Sequence, residues 1–214
     1  MKKSVAVLGL GRFGKSLAEN LYRLGADVLV ADSNEALVQD FSGKCTSAVC
    51  ADLEMEEDVT ALGLNNMDVV VVDMSNNLAA SVMAITVAKE LGVPQIVAKA
   101  SSKRMESILL KVGADRIFDP DGDAGLRSAR ILMSSSFKDF YELDVNMYMV
   151  EMAPKDEWLG KSLSELSLRS RFNLNVVAEK GKDGLWQPMS PQKHITPESV
   201  LLIVAEKKSI NVLQ

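Results

Sequence analysis

Residues 4 to 32 constrain this chain more than any other stretch. A short apolar run (Val5, Ala6, Val7, Leu8) leads directly into Gly9-Leu10-Gly11-Arg12-Phe13-Gly14. Apolar positions at helical spacing come next at Leu17, Leu21 and Leu24, and Gly25 stops them. A second apolar run over residues 28–31 closes on Asp32. Strand, glycine turn, helix, strand and acid in this order make a nucleotide-binding unit. Gly9 permits the tight turn, Gly11 lets the backbone approach a phosphate, and Gly14 lets the helix pack close to the strand. The helix start offers unpaired N–H groups and a positive dipole end to phosphates. Asp32 can accept hydrogen bonds from ribose hydroxyls. The same glycines would also serve a tight strand–helix corner that holds no ligand.

The rest of the chain extends this pattern. Residues 34–41 read as a helix capped by Ser33 or Asn34, 46–50 as a third strand, and 54–62 as a helix stopped by Gly63. Residues 68–72, with four consecutive valines, read as a strand buried on both faces. Then come a long apolar helix (76–91) with Asn76 or Asn77 as its cap, a strand (95–98), a helix (102–112) and a sixth strand (115–118). Alternating β and α predicts an α/β fold with a doubly wound parallel sheet, whose ligand sits at the carboxyl ends of the strands. Those ends collect Asp32 and Asn34, Asp52, Asp73, Ser75, Asn76 and Asn77, Lys99, and Asp119 with Asp121. Some of these are expected to be only helix caps. Lys99 can neutralise an anion in the crevice or be a solvated strand-end charge. The run Asp119-Pro-Asp-Gly-Asp123 lacks the glutamate an EF-hand needs at its twelfth position, where Arg130 stands, yet one of its carboxylates could hold a divalent cation against a phosphate.

Residues 124–137 read as one more apolar-periodic helix. The remainder is β-rich: alternation over 147–152, a turn and short helix over 158–166, and short strands at 174–178, 184–187 and 200–204. The predicted organisation is a nucleotide-binding domain over residues 1–121, a crossover helix and linker over 122–143, and a small α+β domain over 144–214. A unit of that size is marginal alone and is expected to dimerise or lean on the first.

A net charge of −5 and a pI near 5.1 exclude a basic nucleic-acid face. Cys45 and Cys50, not in C-x-x-C spacing, read as small core residues in a reduced cytosolic setting. The first residues lead into a strand and not a signal peptide, and no run nears the roughly 20 apolar residues that span a bilayer. Any action at a membrane is expected to pass through a partner, without direct insertion.

The motif Val7-Leu8-Gly9-Leu10-Gly11-Arg12-Phe13-Gly14, Asp32 with Asn34, Lys99-Ala100, Gly113-Ala114-Asp115-Arg116-Ile117 with Pro120-Asp121, and Leu159-Gly160-Lys161-Ser162-Leu163 with Leu166 together carry a resemblance. Along nearly its whole length the chain resembles the regulatory subunits of Ktr/Trk potassium-uptake systems, the RCK (regulator of potassium conductance) family. The resemblance implies a Rossmann-like N-terminal RCK domain, and a compact C-terminal RCK domain. It also implies a cytoplasmic gating subunit without enzyme activity. In the family the first domain binds ATP, ADP or NAD(H). The subunits pair and close into an octameric ring beneath a membrane potassium channel, and the nucleotide changes ring shape and so potassium flow. Carried over, Gly9, Gly11 and Gly14 match the phosphate turn, Phe13 within it is a further cofactor-binding candidate, and Arg12 matches an arginine that reaches a nucleotide phosphate, often across a subunit interface. Asp32 matches the ribose acid, Asn34 and Asp52 are further cofactor-binding candidates, and Asn77 and Lys99 match crevice residues. Asp121 stands where relatives often carry a glutamate that helps bind Mg2+ or another cation. Asp73 departs from the family, which tends to have a small apolar residue there; a carboxylate would repel phosphates unless a cation intervenes. Arg169, Arg171 and Asn175 match the place where some relatives bind cyclic di-AMP, or are a solvated basic pair.

Two other classes compete: an NAD-dependent oxidoreductase and a free-standing nucleotide sensor. The enzyme needs a proton donor near the hydride site. The single histidine, His194, lies far along the chain in the small second part.

Overall fold

In the computed structural model, residues 2–74 and 77–213 are described. The chain divides after Gly122 into two compact units.

The first unit runs β1 (Ser4–Leu8), α1 (Arg12–Arg23), β2 (Asp27–Asp32), α2 (Glu35–Phe41), β3 (Ser47–Cys50), α3 (Glu56–Ala61), β4 (Val69–Val72), α4 (Leu78–Glu90), β5 (Ile96–Lys99), α5 (Lys103–Val112) and β6 (Arg116–Phe118). Among the described residues its strands form one sheet in the order β3-β2-β1-β4-β5-β6, and neighbouring strands pair in parallel. That is the doubly wound order, whose switch point lies between β1 and β4. Period-two alternation divides each central strand between two cores. Ala6, Leu8, Val70 and Val72 join Ile85, Ile96 and Leu109 on one face. Val5, Val7, Val69 and Val71 join Ala18, Val30 and Phe41 on the other. The four valines of β4 are all buried for that reason.

The caps reflect local chemistry. Asn34 accepts from Leu37 N–H, Ser102 from Met105 N–H, and Asn77 from Ala80 N–H. Asn77 therefore caps α4; Asn76 and Ser75 lie outside the described residues. Cys45 is buried, which pushes its thiol pKa up. Cys50 departs from the core expectation: β3 is a sheet edge, and its thiol is exposed. Among the described residues no helix is long and apolar enough to cross a membrane.

The helix expected over 124–137 begins earlier, as α6 (Pro120–Leu132). Proline fits the first helical position, and Asp119 supplies the cap by accepting from Gly122 N–H at 3.0 Å. The acidic run is thus the start of a helix. The second unit contains β7 (Phe137–Glu142), β8 (Met147–Met152), α7 (Leu163–Leu166), α8 (Leu168–Phe172), β9 (Leu174–Lys180), β10 (Trp186–Pro188) and β11 (Val200–Glu206). β7 occupies the segment expected as linker, and a register shift between Phe137 and Asp139 breaks its alternation. The antiparallel sheet, ordered β10-β9-β11-β8-β7, buries Phe140, Tyr148, Val150, Leu201 and Ile203 with Trp158 and Ile195. Ser162 and Glu165 form a capping box that opens α7.

One polar cluster ties α6 to β7. The Arg127 guanidinium grips the Asp139 carboxylate and donates to Tyr141 Oη at 3.0 Å, and Tyr141 donates to Asp139 at 2.7 Å. These bonds hold Asp139 down to about 2 from 3.8. A depressed carboxylate stabilises the fold fully above its unfolded value, and that contribution is lost as pH falls toward the folded value. Arg127→Met should therefore lower the thermal midpoint at neutral pH and flatten its decline below pH 3.8. Thermal unfolding followed across that range checks this.

Candidate functional site

At the carboxyl ends of β1 and β4 the backbones come close. Asp73 N–H, just past β4, donates to Leu8 O of β1 at 2.8 Å, while Gly9 N–H donates to Ala31 O of β2 at 2.8 Å. Gly9 has φ +100, and a Cβ there would lie 2.2 Å from the Asp73 carbonyl oxygen. A Cβ on Gly14 would lie 2.2 Å from the Gly9 carbonyl oxygen. Both positions need glycine on steric grounds, as the motif predicts.

A crevice of about 730 Å³ opens here, lined by Gly11, Arg12, Phe13, Asn77, Lys99 and Asp121, with Ser16, Asp73, Met74 and Pro120. The structure thus gathers five of the ten predicted nucleotide residues, together with the predicted cation residue. Arg12 is exposed at the start of α1. Lys99 ends β5, its side chain only 11% exposed, with its ammonium 5.9 Å from the Phe13 ring centre. Phe13 is held edge-on against Phe118 at 5.9 Å. Asn77 caps α4 and also donates to Glu54. Ser16, four residues after Arg12, lies outside the glycine motif and so escapes a reading of the motif alone; helical spacing from the loop is the signal that finds it.

The other predicted residues take different places. Asp32 is joined to the glycine loop: its carboxylate accepts from Leu10 N–H at 2.7 Å and from Asn34 N–H at 2.9 Å. Asn34 caps α2, and Asp52 is exposed and accepts from Glu54 N–H at 3.0 Å. Asp32 pairs in register with Cys50, so these groups rim the ends of β2 and β3. Gly9 and Gly14 shape the loop from behind.

Asp73 changes the phosphate turn. Its carboxylate, with the side chain 1% exposed, accepts from Gly14 N–H at 2.7 Å. Gly11, the N-cap of α1, has no side chain to do so. A group just past the end of β4 therefore satisfies a helix-start N–H that the sequence assigned to a phosphate. The room over Gly11 is also shared, since a Cβ there would lie 3.0 Å from Asp73 Oδ2. Lys99 is the intervening cation, 3.8 Å from Asp73 and 3.3 Å from Asp121. Among the described residues no group of three metal-type side chains is brought together. A cation at Asp121 would share that carboxylate with Lys99 and take its other ligands from a nucleotide and water.

A second groove of this unit, over α4, is lined by Leu78, Val82 and Met83 with Glu56 and Glu90, which suits no anion. In the C-terminal unit Arg169 and Asn175 line one groove of about 590 Å³ with Ser164, Ser167 and Met189. Arg171 is not part of it: its guanidinium lies over Phe172 at 4.9 Å and donates to Leu166 O.

Residues 5–120 match the family model described as the TrkA-N domain. The chain is 34% identical over 212 residues to the Ktr system potassium uptake protein C of Bacillus subtilis (strain 168), covering 99% of this chain and 96% of that protein. To the Ktr system potassium uptake protein A of Vibrio alginolyticus it is 36% identical over 178 residues, 83% of this chain and 81% of that one. Among solved structures, the GsuK RCK domain aligns with a TM-score of 0.69 at 14% identity over all of this chain, which spans 47% of that chain. The TrkA-N domain of the inner membrane protein ybaL from Escherichia coli aligns at 0.55 and 16% identity, over 63% of this chain and 98% of that one. At these identities the likeness is one of fold.

Gly14→Ala should destabilise the protein by about 2 kcal/mol or more, because backbone and not a movable side chain blocks the new methyl. Gly43→Ala, with nothing within 4 Å of the added atom, should stay within about 0.5 kcal/mol of wild type. Urea denaturation midpoints of the two variants check the contrast.

Proposed function

The chain belongs to the TrkA-N domain family, and from that premise we propose that it is the nucleotide-binding gating subunit of a potassium-uptake system. In this reading it catalyses nothing. ATP, ADP or NAD(H) binds the crevice at the β1–β4 switch point, and binding changes the shape of an assembly. The assembly is a homodimer closed into an octameric ring, held at the inner face of the cell membrane by a potassium channel subunit.

One observation carries the reading: Arg12 and Lys99 line the same crevice as the glycine loop. Two cations and a helix start suit a polyphosphate and little else of that size. Asp32, bonded to the loop, suits an unphosphorylated ribose and disfavours a 2′-phosphate. The names of the relatives point to potassium uptake. A GsuK channel with the same fold, TM-score 0.69, is described as bound to NAD. Cyclic di-AMP is the second ligand proposed, at the groove holding Arg169 and Asn175. A divalent cation such as Mg2+ is proposed at Asp121, completed by phosphate oxygens.

A ligand shifts an assembly only by its differential affinity for two shapes. Titration calorimetry of the purified protein with ATP, ADP and NADH should give saturable binding, and sedimentation should give a closed ring whose shape depends on the nucleotide. Arg12→Ala should weaken ATP binding about tenfold while leaving the fold intact, the loss of roughly one charge-assisted contact. A monomer that binds none of these nucleotides, or steady NADH consumption with a substrate, would overturn the reading.

A further inference from the structure

The crevice carries a charge arrangement that its glycine loop alone does not require. Asp73 brings a carboxylate to the loop, bonds Gly14 N–H at 2.7 Å, and sits 3.8 Å from Lys99. Lys99 is shared with Asp121 at 3.3 Å. One ammonium thus stands between two carboxylates, and the trio is net negative before any ligand arrives. Asp73 is buried within the loop, so water screens it little.

We propose that Asp73 determines which nucleotide the crevice accepts, favouring a dinucleotide over a metal-free nucleoside triphosphate. This rests on the nucleotide-binding reading of the same crevice. The chemistry is one of charge per phosphate. A terminal phosphate carries close to two negative charges near neutral pH, whereas a phosphate esterified on both sides carries about one. A triphosphate needs Lys99 and the α1 amides as counter-charge, and Asp73 already engages Lys99 and the Gly14 amide. A dinucleotide brings two singly charged phosphates, needs less of that counter-charge, and meets less repulsion from the carboxylate. Arg12, exposed at the mouth, is outside the trio and serves either ligand. A divalent cation screens the triphosphate, so the penalty falls mainly on the metal-free form.

The test compares ATP and NAD+ by calorimetry in EDTA, on wild-type protein and on Asp73→Asn. The asparagine side-chain oxygen can still accept from Gly14 N–H, so the variant removes charge and keeps the hydrogen bond. Wild type should bind NAD+ at least tenfold more tightly than metal-free ATP. In Asp73→Asn the ATP affinity should rise at least tenfold and that of NAD+ less than threefold. An unchanged ratio of the two affinities in the folded variant overturns the proposal. So does wild type that binds metal-free ATP as tightly as NAD+, which decides the matter even where the variant fails to fold. Binding of neither nucleotide by wild type overturns the nucleotide-binding reading itself and this proposal with it; binding of both without discrimination overturns this proposal alone.

Discussion

Everything in the first unit turns on how closely β1 and β4 can approach beyond their last residues. The chain leaving β1 must pass the chain leaving β4 with backbone nearly in contact, and a methyl on Gly9 would fall 2.2 Å from a carbonyl oxygen. That closeness sets the start of α1 behind the crevice and brings the carboxylate that follows β4 to the Gly14 amide. It also sets Lys99, at the end of β5, beside the loop. Had the turn been wider, Arg12, Lys99 and the glycine loop would not line one crevice.

The first unit was largely legible because its signals are local. Four valines in a row could only be a strand covered on both faces, and they divide between two cores as pleating requires. Glycine stops and Asn or Ser caps bounded the helices to within a few residues. The sequence misled where the deciding partner is distant. Nothing near Cys50 tells that β3 lies at a sheet edge, so its thiol read as core. The helix expected from residue 124 starts at Pro120, because Asp119 caps it by accepting from Gly122 N–H three residues on. β7 escaped notice because an irregular register destroys its period of two.

The candidate site was legible in its residue types more than in their arrangement. Lys99, Asn77 and Arg12 were found from strand ends and the glycine motif, and they do line one crevice. Asp32, Asn34 and Asp52 are engaged in bonds along the neighbouring rim. Arg171 stacks on the phenylalanine beside it instead of facing the groove of Arg169. Such choices depend on which nearby acceptor a side chain meets first, and spacing along the chain does not encode that.

The bond from Gly14 to Asp73 joins positions 59 residues apart. A nascent chain emerging from the ribosome can therefore make the glycine turn early but cannot finish it. The start of α1 stays uncapped until β4 has been synthesised and slotted beside β1. A contact at that separation carries a loop-closure entropy that a helical turn does not. The pocket thus requires the middle of the sheet, and a chain cut before β4 would carry the glycine motif without the pocket.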